Sequence, residues 1–310
     1  MMKKLMNRYI VCCIVFVCIF FTACKSYDKQ KSELPDTPER GTIYVSADES
    51  FQPVIDQQVA VYESNNPGTK IIVSYKPEAE CFKDLFTDSV RMIIVTRNAS
   101  EQESEAVLDS LHKGPKGSTI ARDGIAVIVH PSETDTLLTM NEIKQILTGK
   151  FRKNLIPVFD GLKATSTVRF VIDSVLKGDS LTPKAVAARS SKAVIDYVSN
   201  NTGVIGFIGV SWIGNPEDTS HLSYLKNVKV VSLEATDVPG GYCKANQANI
   251  YFKRYPMVRD LVYILKENYK GLGSGFADSM SGDIGQRIFR RSYLAATKIN
   301  LGIRQVRLRE

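Results

Sequence analysis

The chain has 310 residues, 44% of them hydrophobic and 24% charged, with a formal net charge of +7. This is the composition of a folded globular protein and excludes a disordered or collagen-like chain. The basic residues are scattered and carry no nucleic-acid motif, and His112, His130 and His221 lie too far apart for a conventional zinc site, so no nucleic acid, metal or cofactor is expected.

Lys3, Lys4 and Arg8 precede a continuous apolar run from Tyr9 to Phe21, which ends in Thr22-Ala23-Cys24. The run is short for a membrane span, and small residues follow it, as a signal peptidase requires. Residues 1–23 therefore read as a signal peptide. The Thr-Ala-Cys-Lys end resembles a bacterial lipoprotein signal, which makes Cys24 the acylated first residue of an exported, lipid-anchored chain; the plainer reading is a signal peptide whose cysteine is incidental. Residues 24–40 are polar, contain Pro35 and Pro38, and read as a flexible tether. Cys81 and Cys243 remain, either as a disulfide or as two thiols.

The body alternates strand and helix patterns. Thr42 to Ser46 reads as a strand, and Ser50 as the cap of a helix with Pro53 in its first turn. Lys70 to Tyr75 and Val90 to Val95 are strands on either side of a short helix at Ala79 to Thr87. Ser100 with Glu103 signals a capped helix through Leu111. A second unit opens with a strand from Gly124 to His130, then a helix capped by Thr139 and Glu142 that stops at Gly149. A strand at Leu155 to Phe159 leads to a helix from Thr165 to Leu176, and Thr182-Pro183 opens another helix, with an interruption near Ser190-Ser191 and a resumption through Val198. Gly203 to Phe207 and Val228 to Leu233 are strands. Pro256 to Tyr269 has an amphipathic helical spacing in Val258, Leu261, Val262 and Leu265, and a last helical region follows Gly271 to Phe276. Two α/β units with returning helical material imply two lobes, with ligands expected where strands end and helices begin.

Several segments together resemble the substrate-binding proteins of bacterial high-affinity phosphate ABC importers. They are Ile43-Tyr44-Val45 into Ser50-Phe51, Asp123 to Val127, Ile146 to Gly149, Thr165-Ser166-Thr167 into Phe170, Gly203 to Phe207, Tyr255-Pro256 and Gly285-Gln286. Their order covers Gly41 to Arg291. The resemblance implies an α/β, bilobed periplasmic-binding-protein fold of type II, with a hinge. It places lobe 1 at residues 41–124, lobe 2 at 125–249 and a return to lobe 1 at 250–310. It implies a monomer that binds inorganic phosphate or a related oxyanion and delivers it to an ABC permease with a cytoplasmic ATPase, without being an enzyme.

Helix starts suit an oxyanion because their amide protons are free and the helix dipole is favourable. Ser50 and Phe51 stand at one such start, and Thr165, Ser166 and Thr167 at another; the plainer reading of Ser50 and Thr165 is as simple caps. The pattern departs from the family at several positions. Ser166 replaces the middle glycine of Ser-Gly-Thr, and the family's first-lobe Gly-Ser turn falls at Glu78-Ala79-Glu80. Its aspartate falls at Arg97, and its arginine has only Lys163 nearby. The resemblance therefore makes Arg97 the charged ligand, with Glu80 (or Glu78) and Asp48 as acceptors for a proton on phosphate. Arg97 has the alternative of pairing with an acid on the following helix. Sulfate, another oxyanion or a small phosphorylated compound are alternative ligands. An exported hydrolase would need a nucleophile motif, and neither G-x-S-x-G nor H-E-x-x-H is present. A structural surface lipoprotein is the remaining class. The arginines at 287, 290, 291, 304, 307 and 309 read as a solvated face or as a docking surface for a membrane partner.

Overall fold

A computed structural model describes residues 34–111, 114–163, 165–213 and 226–297; Cys24, His112, His221, Arg304, Arg307 and Arg309 lie outside them. The first α/β unit comprises β1 (Arg40–Asp48), α1 (Gln52–Asn65), β2 (Gly68–Lys76), α2 (Glu78–Asp84), β3 (Val90–Val95) and α3 (Glu101–Leu111). Then come β4 (Lys116–Val129), β5 (Leu137–Leu138), α4 (Met140–Thr148), β6 (Ile156–Phe159), α5 (Ser166–Phe170), β7 (Val186–Ala187), α6 (Ser191–Asn200) and β8 (Val204–Gly209). The chain closes with β9 (Lys229–Val230), β10 (Ser232–Glu234), β11 (Tyr242–Cys243), α7 (Gln247–Tyr251), β12 (Val258–Leu265), α8 (Leu272–Ser281), α9 (Asp283–Arg291) and β13 (Ala295–Ala296).

The main sheet runs β2-β1-β3-β12-β4-β8-β6-β7, with β9 and β13 also on β4. β1 is parallel to β2 and β3, and β6 is parallel to β7 and β8. Two antiparallel strands in the middle, β12 and β4, join these parallel groups. β4 changes neighbours along its length. Up to Gly124 it pairs with β12, and from Ile125 it pairs with β8. A Cβ at Gly124 would lie 2.9 Å from the Ile250 side chain, so glycine lets α7 close against the crossover. From Ile125 to Val129 every side chain is buried, as a strand covered on both faces requires.

Local chemistry accounts for most of these elements. Thr139 and Glu142 form the expected capping box, and Gly149 ends that helix at φ 75°. Ser100 and Glu103 exchange the reciprocal capping bonds at the head of α3. Three expectations fail. Ser50 is not the cap of α1: a 3-10 turn at Glu49–Phe51 comes first, and Asp48 accepts the Ser50 amide. Thr182-Pro183 starts no helix; its turn leads into β7, and α6 is capped by Ser190. The segment read as an amphipathic helix after Pro256 is the strand β12. Its Val258, Leu261, Val262 and Leu265 spacing mimics a helical stripe because a central strand is buried on both faces and loses its alternation.

The tether expected through Arg40 ends earlier. Asp36 and Thr37 are buried. Asp36 accepts the Leu272 amide at 2.7 Å and the Arg91 guanidinium at 2.8 Å, while Glu267 accepts the Gly273 and Ser274 amides at 2.8 and 2.9 Å. Arg91 also reaches Glu267 at 3.1 Å, so one guanidinium neutralises both carboxylates that cap α8. Cys81 and Cys243 are free thiols, Cys81 fully buried. Among the described residues no helix is long and apolar enough to cross a membrane. Removing Arg91 leaves Asp36 and Glu267 buried without their cation. Arg91→Met is therefore expected to lower unfolding free energy by roughly 2–4 kcal/mol, measured by urea titration, with native secondary structure retained.

Candidate functional site

The ends of β1, β6 and β8 converge on the point where β4 and β12 cross between the sheet halves. Asp48 ends β1, Asp160 follows β6, and Val210 follows β8. Asp123 on β4 and Arg259 on β12 are direct cross-strand partners. Their ion pair is almost wholly buried, with side-chain exposures of 2% for Arg259 and 0% for Asp123. Arg259 Nε donates to Asp123 Oδ2 at 2.9 Å, and Asp123 Oδ1 accepts the Val210 amide at 3.1 Å. Arg259 Nη1 donates to Ser166 Oγ at 2.7 Å and Thr167 Oγ1 at 3.3 Å. Nη2 lies 2.9 Å from Asp123 Oδ2 but without the alignment of a hydrogen bond, so its donors are unspent. The Phe51 ring centroid is 5.0 Å from the guanidinium carbon.

Ser50 ties the two halves together. Its amide donates to Asp48 Oδ1 at 2.8 Å and its hydroxyl to Asp160 Oδ2 at 3.3 Å. Its carbonyl accepts from Ser211 Oγ at 3.2 Å and from the Trp212 indole at 2.9 Å. Gly209 sits against this knot, where a Cβ would lie 3.2 Å from Arg259 Nη2, Asp123 Oδ2 and the Ser50 carbonyl. Two further bridges stand beside it. Glu49 accepts the Ser191 amide and hydroxyl at 3.1 and 2.9 Å, at the head of α6. Glu78 accepts Arg169 Nε at 2.6 Å and the Thr96 amide at 2.7 Å, while Arg169 Nη2 donates to Thr96 Oγ1 at 2.7 Å.

The carboxyl groups respond to burial in opposite ways. Burial pushes Asp48 up against the opposing charge of Arg259, and it pushes Asp160 up to about 6, with the charge of Asp48 adding to the effect. Glu49 is raised to about 7 by burial, which its bonds from Ser191 only partly offset. Glu78 goes the other way, because Arg169 and Thr96 outweigh its burial.

Of the residues singled out from sequence, Asp48, Ser50, Phe51, Ser166 and Thr167 gather around Arg259, and Thr165 caps α5 by accepting the Val168 amide at 3.3 Å. Arg97 is placed differently. Its two Nη atoms donate to the two oxygens of Glu103 at 2.7 and 2.8 Å, and its guanidinium lies 3.5 Å from the Phe82 ring centroid. Its hydrogen bonds hold Glu103 down at about 2. Glu80 is exposed on α2, and Lys163 is exposed before α5. Arg97, Lys163, Phe82, Thr165 and Arg169 line a cavity of about 380 Å³ beside the central knot. Arg122, the residue before Asp123 on β4, pairs with Asp260 at 3.4 Å. Tyr75 donates to Asp56 at 2.5 Å.

Sequence reasoning missed Arg259 and Asp160. A single guanidinium inside the apolar run after Pro256 was the available signal for Arg259, since a buried arginine requires a partner. Asp160 was signalled only by its place at a strand end before Thr165. The arrangement presents a buried cation, several hydroxyls and unpaired carboxylate oxygens, a donor and acceptor set for a small polar ligand. Among the described residues no group of His, Cys, Asp and Glu could hold a metal ion.

No curated protein sequence matches this chain. Solved structures do. A protein from Clostridium perfringens, assigned as a phosphate ABC transporter substrate-binding protein and carrying bound phosphate, is 22% identical with a TM-score of 0.70, over 83% of this chain and 100% of its own. An ABC-type phosphate transport receptor from Vibrio cholerae is 17% identical with a TM-score of 0.61, over 82% and 99%. PstS from Borrelia burgdorferi is 17% identical with a TM-score of 0.52, over 83% and 99%. At these identities the likeness is one of fold, an α/β architecture of the periplasmic-binding type. The family profile described as a PBP superfamily domain matches residues 33–283, most of the chain, and on that match the chain belongs to the PBP superfamily.

Proposed function

We propose that this chain captures an inorganic oxyanion, phosphate first, between lobes at residues 41–124 and 125–249, and delivers it to an ABC permease driven by a cytoplasmic ATPase. The described residues 250–297 return to the first lobe and bring Arg259 to the site. The observation that carries this reading is the buried Arg259 guanidinium, braced by Asp123, flanked by Ser166 and Thr167, and holding an unspent Nη2. A desolvated cation surrounded by hydroxyls suits a small oxyanion. The fold likeness to the phosphate-carrying Clostridium perfringens protein supports phosphate as the ligand. Arg259, in place of Arg97, supplies the charge, because Glu103 already occupies both Nη atoms of Arg97. Asp48 provides an acceptor near Ser50, whereas Glu80 faces solvent. The protein acts without turnover, and Cys24 anchors it to the membrane by acylation.

A small phosphorylated compound is the second reading. The cavity of about 380 Å³ that shares Thr165 with the site has room for a substituent, with Phe82 and Lys163 among its walls.

Calorimetry on anion-stripped protein with phosphate, sulfate and arsenate tests the central reading. One saturable site is expected, with phosphate tightest; no heat with any of the three overturns it. Arg259→Ala is expected to weaken binding at least tenfold, since a charge-assisted hydrogen bond contributes roughly 1.5–3 kcal/mol. Arg97→Ala should stay within about threefold of the parent, and Thr167→Val should lose about threefold to tenfold. Circular dichroism on each variant separates lost binding from lost fold.

Cys24→Ser is expected to abolish metabolic labelling by fatty acid and to release the exported chain from the membrane fraction. Unchanged labelling would exclude Cys24 as the anchor.

A further inference from the structure

An anion closes a two-lobed protein by drawing donors from both lobes onto one charged group. This chain carries such a group of its own. Glu78 opens α2, which packs on β1 and β3. Its side chain is 3% exposed. Oε1 accepts the Thr96 amide and the Thr96 hydroxyl, both at 2.7 Å. Oε2 accepts Arg169 Nε at 2.6 Å, from α5, which follows β6 in the other parallel group. Arg169 Nη2 closes the ring by donating to the Thr96 hydroxyl at 2.7 Å.

Of the ion pairs among the described residues, this one alone joins an element of the β1–β3 group to an element of the β6–β8 group. The contacts of Glu49 with Ser191, and of Ser50 with Asp160, Ser211 and Trp212, each have a neutral partner. We infer that the Glu78 carboxylate is a built-in anion: it takes the place of a ligand between Thr96 and Arg169 and holds the two sheet halves closed when no ligand is bound.

A carboxylate already attached to α2 loses no translational freedom on meeting Arg169, unlike an anion arriving from solution. The two bonds from Thr96 fix its orientation, so Arg169 meets a preorganised acceptor. Burial by itself would raise the proton affinity of Glu78, but Arg169 and Thr96 outweigh it and the charge that makes the bridge is kept. Asp173, one turn further along, lies 3.5 Å from Arg169 Nη1 and gives the guanidinium another acid, so the bridge can open without stranding the cation. A ligand that enters between the halves has to wait for that opening, and its apparent affinity falls with the fraction of open molecules.

Small-angle scattering on the purified full chain, stripped of bound anions and kept in chloride buffer, reads the closure. The parent should already be compact, with a radius of gyration that added phosphate leaves unchanged. Glu78→Ala should shift the chain to a larger radius. Sodium acetate should then restore the parent value where sodium chloride at equal ionic strength does not, because acetate replaces the missing carboxylate and reaches Arg169 through the cavity of about 380 Å³ that both residues line. Arg169→Met should also expand the chain, without rescue by acetate. A parent that contracts on adding phosphate is open when unliganded and overturns the inference, whether or not any variant folds. A Glu78→Ala protein with native circular dichroism and the parent's radius overturns it as well. Calorimetric silence toward phosphate, sulfate and arsenate, beside the expected scattering results, removes the oxyanion reading alone.

Discussion

The ion pair between Arg259 and Asp123 is the interaction on which the rest of this structure depends. Removing a guanidinium and a carboxylate from water costs several kcal/mol for each ion, and only close pairing with further hydrogen bonds offsets that cost. Here the pair is made across the two central antiparallel strands, so register alone brings the partners opposite each other. The Val210 amide and the Ser166 and Thr167 hydroxyls complete the shell. One contact thereby fixes β12 to β4, positions the loop after β8 and sets the start of α5. Stability at the crossover and preorganisation of the site are one constraint.

The same crossover shows why the buried polar groups gather there. β4 serves the first sheet half up to Gly124 and the second from Ile125, so the halves are covalently joined at a line that also carries Asp123. Contacts from one half to the other gather along this line: the Ser50 carbonyl on Ser211 and Trp212, Glu49 on Ser191, and Glu78 on Arg169. Each is polar and directional, and none brings a broad apolar surface. Polar bridges of this kind can exchange protein partners for water, since a neutral hydrogen bond contributes only about 0.5–1.5 kcal/mol beyond its solvated alternative and one to a charged group about 1.5–3 kcal/mol.

Arg97 illustrates how charge and location separate. At the end of the buried strand β3 it stands where a ligand contact is plausible on sequence grounds. Its guanidinium instead lies on Phe82 and makes a bidentate pair with Glu103, which itself belongs to the capping box of α3. The acid that caps the helix also captures the arginine. Arg259 reaches the centre from a strand that arrives about 160 residues later in the chain, a separation that no local pattern encodes.

The order of α/β elements was legible in the amino-acid sequence wherever a local rule was sufficient. Thr139, Glu142 and Gly149 bound α4 through their own backbone bonds, Ser100 and Glu103 open α3, and the hydroxyls of Thr165 to Thr167 mark the start of α5. Ser50, Phe51 and Asp48 could be singled out because they follow a strand directly. Tertiary structure alone decided the identity of β12, since burial on both faces erased the alternation that distinguishes a strand from a helix. It also decided that Asp36 belongs to the body, because its partners Arg91 and Leu272 lie far along the chain. For the same reason the buried cation is Arg259 with Asp123 opposite it: a side chain's solvation, and hence its partner, depends on which distant strands pack around it.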